Sequence, residues 1–230
     1  AMISAIFKTF SQFIQPAFWR IFLLSLIVSG VLLGLSVWAG IWFADGLPET
    51  GTGWIDWIID KVAPLSVVFM ALFLYPALAS MVMGLFLDDI AEAVEQKHYP
   101  GDAPGTPIGV GTGLWEAAKL GGLIVLVNLI ALQFYLIFLF FPLLSFALYY
   151  LINGYLLNKE YFELVAQRHG DKTQEKALRK RHGGKLFLGG CAIAFMFSIP
   201  LVNLMTPLLA TGLMVHLFKG FQQEGATHVA

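Results

Sequence analysis

Three places in the 230-residue chain carry residues whose type and spacing could handle a charged solute. The first is Pro16-Ala17-Phe18-Trp19-Arg20. Proline suits the first turn of a helix, where amide groups lack an intrahelical partner, and an arginine beside those amides could hold an anion. The plainer reading, Arg20 as a headgroup anchor, stands next to it. The second place is the acidic stretch from Asp88, where Glu92 and Glu95 share a helical face at i,i+3; a solvated helix end is the alternative there. The third is Leu201-Val202-Asn203-Leu204-Met205-Thr206, bracketed by Pro200 and Pro207 inside an apolar run, with Asn203 and Thr206 as its polar members.

Other chemistries find little support. The histidines, His98, His169, His182, His216 and His228, show no metal-ligand spacing such as HExxH. Ser198 has no base near it in sequence, so an intramembrane enzyme is not favoured and neither metal nor cofactor is expected. Gly109-x-Gly111-x-Gly113 follows no strand and precedes no Gly-Lys-Ser/Thr, which excludes a phosphate loop. Cys191 lies alone in an apolar run and reads as a small apolar filler.

The elements that position these residues are membrane elements. The chain is 58% hydrophobic and 13% charged, where a soluble domain carries about 25% charge, and its mean hydropathy is +0.75. No charge lies between Arg20 and Asp45, Lys61 and Asp88, Lys119 and Lys159, or Lys185 and Lys219. Runs of that length identify an all-α integral membrane protein. A net charge of -1 gives no indication of nucleic acid. The first apolar run starts only after Arg20 and is too long for a signal-peptide core, so it should remain as an anchor.

In chain order, residues 2–15 place Ile3, Ile6, Phe7, Phe10, Phe13 and Ile14 on one helical face, with Ser4, Lys8, Ser11 and Gln12 opposite. That is an amphipathic helix lying in the interface, ended at Gln15-Pro16. Span 1 occupies 17–44 and carries Gly30 and Gly34 as a GxxxG step suited to close helix contact. Trp38, Trp42, Trp54 and Trp57 flank the acidic 45–61 loop, as expected at an interface. Span 2, 56–98, should run on past the membrane to Lys97, because no breaker precedes Pro100.

Two hairpins follow. The first, 113–168, turns near Pro142, and its arms admit either two crossings or two partial insertions. Its polar members, Asn128, Gln133, Ser145, Asn153 and Asn158, would bond between helices or line a path. The second, 184–220, is broken at Pro200 and Pro207 into arms of about a dozen residues, ~18 Å each. Such arms fall short of the ~30 Å core, so this hairpin should dip in and return, with a non-helical tip sheltered by protein or water. Between the hairpins lies a basic segment, 171–182. Lys159 to Lys185 holds eight of the 14 basic residues against four acids, which places this side and both termini in the cytoplasm. The run could also funnel small anions or meet anionic lipid.

Ser198-Ile199-Pro200-Leu201-Val202-Asn203-Leu204 with Pro207 resembles the I-P-L-L-N-L tip of the CysZ-like sulfate permeases of bacterial inner membranes. Gln15-Pro16-Ala17-Phe18-Trp19-Arg20 is similar to that family's Q-P-G-I-R-R, and Ala91-Glu92-Ala93-Val94-Glu95 to its A-E-Q-L-E. The resemblance implies two long transmembrane helices, helical hairpins that only partly insert, and a homo-oligomer. It implies uptake of sulfate or a related oxyanion for cysteine synthesis, with anion contacts at Ala17, Phe18, Trp19 and Arg20. Here Ala17 replaces the glycine and Trp19 the first arginine, so Arg20 alone keeps the charge. Glu92 and Glu95 would then brace arginines or gate, and Asn203 and Thr206 would meet the ion or its water. A non-transporting membrane scaffold is the competing expectation.

Overall fold

The computed structural model describes residues 5, 7–9, 15–46, 51–57, 61, 65, 75, 78–79, 82–170, 172–200 and 202–227. Every regular element among them is helical: α1 (Pro16–Asp45), α2 (Leu87–His98), α3 (Val110–Ile137), a 3-10 turn (Phe138–Phe140), α4 (Pro142–Gln167), α5 (Lys172–Phe197) and α6 (Val202–Thr227). Most of the expected interfacial helix 2–15, and of span 2 before residue 82, lies outside the described residues. The chain divides into two compact units, Trp19–Phe86 and the remainder.

In the Trp19–Phe86 unit, α1 closes its own polar groups. Ser25 donates to the Ile21 carbonyl at 2.8 Å and Ser36 to that of Leu32 at 2.8 Å, so little hydrogen-bonding capacity faces outward. Tyr75 reaches the Leu26 carbonyl at 3.2 Å. At the GxxxG step, a Cβ at Gly30 or Gly34 would meet nothing within 4 Å among the described residues; most of span 2, the next element of this unit, lies outside them. Span 2 is corrected in one respect: it is not continuous to Lys97. The Leu85 and Phe86 amides bond to the Val82 and Met83 carbonyls, a turn beside Gly84 that leaves Leu87–His98 a separate helix.

In the larger unit, α4, α5 and α6 form the core. Leu208, Leu209, Met214, Val215 and Leu217 of α6 are at most 1% exposed, as befits a helix apolar around its circumference. Glycine sets the α4–α5 crossing. A Cβ at Gly190 would lie 2.0 Å from the Gly154 carbonyl oxygen, and one at Gly154 would lie 2.6 Å from Cys191 Sγ. Cys191 therefore fills the space that Gly154 leaves.

The interhelical role expected of the polar residues is corrected for most of them. Asn128, Asn153 and Asn158 bond to carbonyls of their own helices, and Ser145 caps the turn at Phe138 O. The second hairpin is corrected as well. Its turn is Ser198 to Pro200, and α6 has begun by Val202, so Asn203 and Thr206 are helical. Pro207 is the sixth residue of α6, and the bond it removes is the one to the carbonyl of exposed Asn203. Both helices run to 26 residues, about 39 Å. Length alone therefore does not keep them from crossing. A non-helical residue, His182, kinks α5 between its basic and apolar parts.

Candidate functional site

The polar centre of the larger unit is built on α2. Its buried residues, Leu87, Ile90, Ala91, Val94 and Glu95, recur at helical spacing on one stripe, which puts a carboxylate at the end of an apolar face. Glu92 and Glu95 consequently part. Glu92 is exposed and accepts from Gln96 Nε2 at 2.9 Å, the solvated helix end weighed for both. Glu95 is 4% exposed.

Three donors converge on Glu95. His169 Nε2 lies 2.8 Å from Oε1. Arg168 Nη2 lies 3.5 Å from Oε2, and the Gly105 amide donates to the same oxygen at 3.3 Å. Arg168 continues to Asp88, Nη1 to Oδ1 3.0 Å, with its own side chain 1% exposed. The 99–109 loop holds this arrangement: the Thr106 amide donates to the Arg168 carbonyl at 2.8 Å. A Cβ at Gly105 would lie 2.9 Å from Arg168 Nε, so only glycine lets the loop cover the guanidinium. Burial works against the Glu95 charge, but the His169 hydrogen bond, the Arg168 and His169 charges and the Gly105 amide outweigh it and hold the carboxyl below its ordinary value of 4.5. A buried pair of this kind is costly to break from one side.

The last turns of α6 complete the centre. Lys219, 2% exposed, meets Asp102 Oδ2 at 3.3 Å. His216 Nδ1 and the Tyr99 hydroxyl are 3.0 Å apart, and the His98 ring meets the His216 ring edge-on at 5.0 Å. His169 stacks on Phe218 at 5.1 Å. Beside the centre opens a pocket of about 240 Å³ whose wall includes Glu92, Glu95, Tyr99 and Asp102.

The remaining expected residues lie elsewhere. Arg20 is exposed in the Trp19–Phe86 unit and has no ion pair or hydrogen bond among the described residues. Trp19 is 40% exposed and sits edge-on to Phe22 at 5.7 Å. Phe18 is buried and Ala17 half-buried. Asn203 is exposed in the first turn of α6, whereas Thr206 is buried and its hydroxyl donates to the Val202 carbonyl at 2.8 Å. Asn203 lies 13 residues from His216, ~20 Å along the helix. The structure thus buries Glu95 in the centre, leaves Glu92 on the wall of the adjoining pocket, and puts Asn203 and Thr206 at the opposite end of α6.

Sequence reasoning missed Asp88, Asp102, Arg168, His169, His216 and Lys219. One signal was available: position 95 continues the apolar stripe of Leu87, Ile90, Ala91 and Val94, so a glutamate there requires a buried partner.

By length and composition, three helices could cross a membrane: Pro16–Phe43, Ala118–Phe140 and Val202–Glu224. No curated protein matches the chain. A family model described as Sulfate transporter CysZ/Etoposide-induced protein 2.4 matches residues 5–207. That span holds Arg20, the α2 carboxylates, Arg168, His169 and the Pro200 turn, and the chain belongs to this family of membrane proteins.

Proposed function

We propose that the protein carries sulfate, or a related oxyanion, across the bacterial inner membrane to supply sulfur for cysteine synthesis. The observation that carries the reading is the family match over residues 5–207. Dehydrating a dianion is costly, so a pathway has to offer cations or oriented donors. Arg20 is the first contact: an exposed guanidinium near a helix N-terminus can take an oxyanion bidentately, flanked by Ala17, Phe18 and Trp19.

The pocket walled by Glu92, Glu95 and Asp102 suits gating better than anion binding, because its carboxylates repel a dianion. Glu95 is the brace that holds Arg168 and His169. At the Pro200 turn Asn203 is the better ion contact, since Thr206 already spends its proton on the Val202 carbonyl.

In this reading the chain is a multi-pass protein with two long spans, an N-terminal interfacial helix and two hairpins that insert partly, assembled as a homo-oligomer with both termini in the cytoplasm. Charge placement, in place of helix length, supports the partial insertion of the α5–α6 hairpin. Its uncharged stretches, Leu186–Phe197 and Val202–Phe218, measure about 18 and 26 Å, less than the ~30 Å core.

Radiolabelled sulfate flux into proteoliposomes tests the function. Uptake above empty vesicles is expected. Absence of uptake at confirmed incorporation returns the protein to a membrane scaffold. Arg20→Ala should weaken sulfate binding by about tenfold or more, and unchanged affinity in the folded variant makes Arg20 a headgroup anchor.

A further inference from the structure

A second pocket, about 380 Å³, opens where the start of α3, the end of α4 and the start of α5 meet. Sites for small molecules commonly measure ~300–1,000 Å³. Five cations line it, Lys119, Lys159, Lys172, Lys176 and Arg179, against three carboxylates. Two of the carboxylates are ion-paired, and the third, Glu163, accepts from Gln167 Nε2 at 3.3 Å. Glu116 takes Lys119 at 2.7 Å and also Lys172, and Glu175 takes Arg179 at 3.7 Å. Burial, with the Glu163 charge, pushes the Glu175 carboxyl up against Arg179 and Lys172. Lys159 and Lys176 form no ion pair among the described residues, so the pocket presents two uncommitted ammonium groups.

Its walls lead directly onto greasy surface. On α4, Leu151, Tyr155, Lys159 and Glu163 follow one another at four-residue spacing on a single face. Leu151 is 58% and Tyr155 49% exposed. On α3, Leu126 and Ile130 continue the face that begins at Lys119, and both are more than half exposed. Of the most apolar window of Ala118–Phe140 only 6% is buried. Trp115, with the Lys119 ammonium 5.5 Å from its ring centroid, and Tyr155 are the aromatic types that favour the headgroup level.

From this juxtaposition of a cationic excess, uncommitted lysines and adjoining exposed apolar stripes we infer that the pocket binds the phosphate group of an anionic phospholipid, whose acyl chains lie along α3 and α4. The recognising chemistry is that of a phosphate oxyanion. The apolar stripes select its lipid-borne form over the free ion, as in basic pockets between membrane helices that take lipid headgroups.

Native mass spectrometry of the full chain, released from bilayers of equal phosphatidylglycerol and phosphatidylcholine, tests this. The wild type should retain phosphatidylglycerol preferentially. Lys159→Gln/Lys176→Gln removes no carboxylate's partner and should lower retention roughly 10- to 30-fold, while Lys159→Arg/Lys176→Arg should keep it. Equal retention of the two lipids, or undiminished retention in the glutamine variant with native helicity, overturns the inference. So does displacement by inorganic phosphate without any preference between the lipids, which makes the pocket a free-anion site. Retention is read without any transport step, so it stands or falls separately from sulfate flux.

Discussion

Two apolar stretches of 23 residues, one in α3 with its 3-10 turn and one in α6, are long enough to cross a membrane, yet 6% of the most apolar window is buried in the first and 83% in the second. Hydropathy records only that both avoid water. What separates them is where the polar atoms fall. In α3 the central polar residue, Asn128, turns back to its own helix, leaving Leu and Ile side chains outermost. Helix α6 carries Thr206, Thr211, His216 and Lys219, each at most 4% exposed. Lys219 and His216 find their partners on the loop that follows α2. Lipid can solvate the first helix and not the second, because an ammonium in hydrocarbon needs an anion.

The largest expected break in that contrast is Arg168→Ala. It leaves Glu95 with His169 and the Gly105 amide alone and Asp88 without its cation, and breaking a buried pair from one side typically costs ~3–5 kcal/mol. Thermal unfolding in detergent should show this as a marked loss, whereas an unchanged midpoint would mean that water already compensates the carboxylate. Leu209→Ala in α6 should cost ~2–5 kcal/mol by leaving a cavity in a packed core. Leu129→Ala on the outer face of α3 should stay within about 0.5 kcal/mol. Equal losses at the two sites would show that α3 is covered by protein in the membrane, as it would be in an oligomer.

Glycines give a smaller version of the same test. Gly190→Ala drives a methyl into the Gly154 carbonyl and should destabilise by ~1–3 kcal/mol. Gly30→Ala, with no described residue within 4 Å of its added methyl, should be neutral or stabilising by up to ~1 kcal/mol. A destabilised Gly30→Ala would locate a helix contact made by residues outside the described ones or by another copy of the chain. The smallest effect is in acid. Because folding lowers the Glu95 pKa, its stabilising contribution is complete above the unfolded value of 4.5 and is lost as pH falls through the folded one. Glu95→Gln should flatten that acid limb of the stability curve, and a limb unaltered by the substitution would assign the acid sensitivity to other groups.

Much of this was legible in the residues. The uncharged runs marked the membrane segments, Pro142 and Pro200 marked the two hairpin turns, and the Pro16 to Arg20 and Pro200 to Pro207 motifs pointed to the family that the match over 5–207 establishes. Pro207 was misjudged because proline breaks a helix only where the lost amide bond matters. The close crossing of Gly154 on Gly190 has no GxxxG spacing to announce it, since the two glycines lie on different helices. A glycine pair marks the possibility of approach and says nothing of what approaches.

By itself the sequence determined that the chain is helical and that it belongs in a membrane, because charge spacing and apolar run length are local properties. Only the tertiary structure decided that Glu95 is buried while Glu92 is wet, that Arg168 lies 73 residues from its carboxylate partner, and that α6 is enclosed while α3 is not. Periodicity names a face; pairing and burial depend on what that face meets, and the partners come from distant parts of the chain.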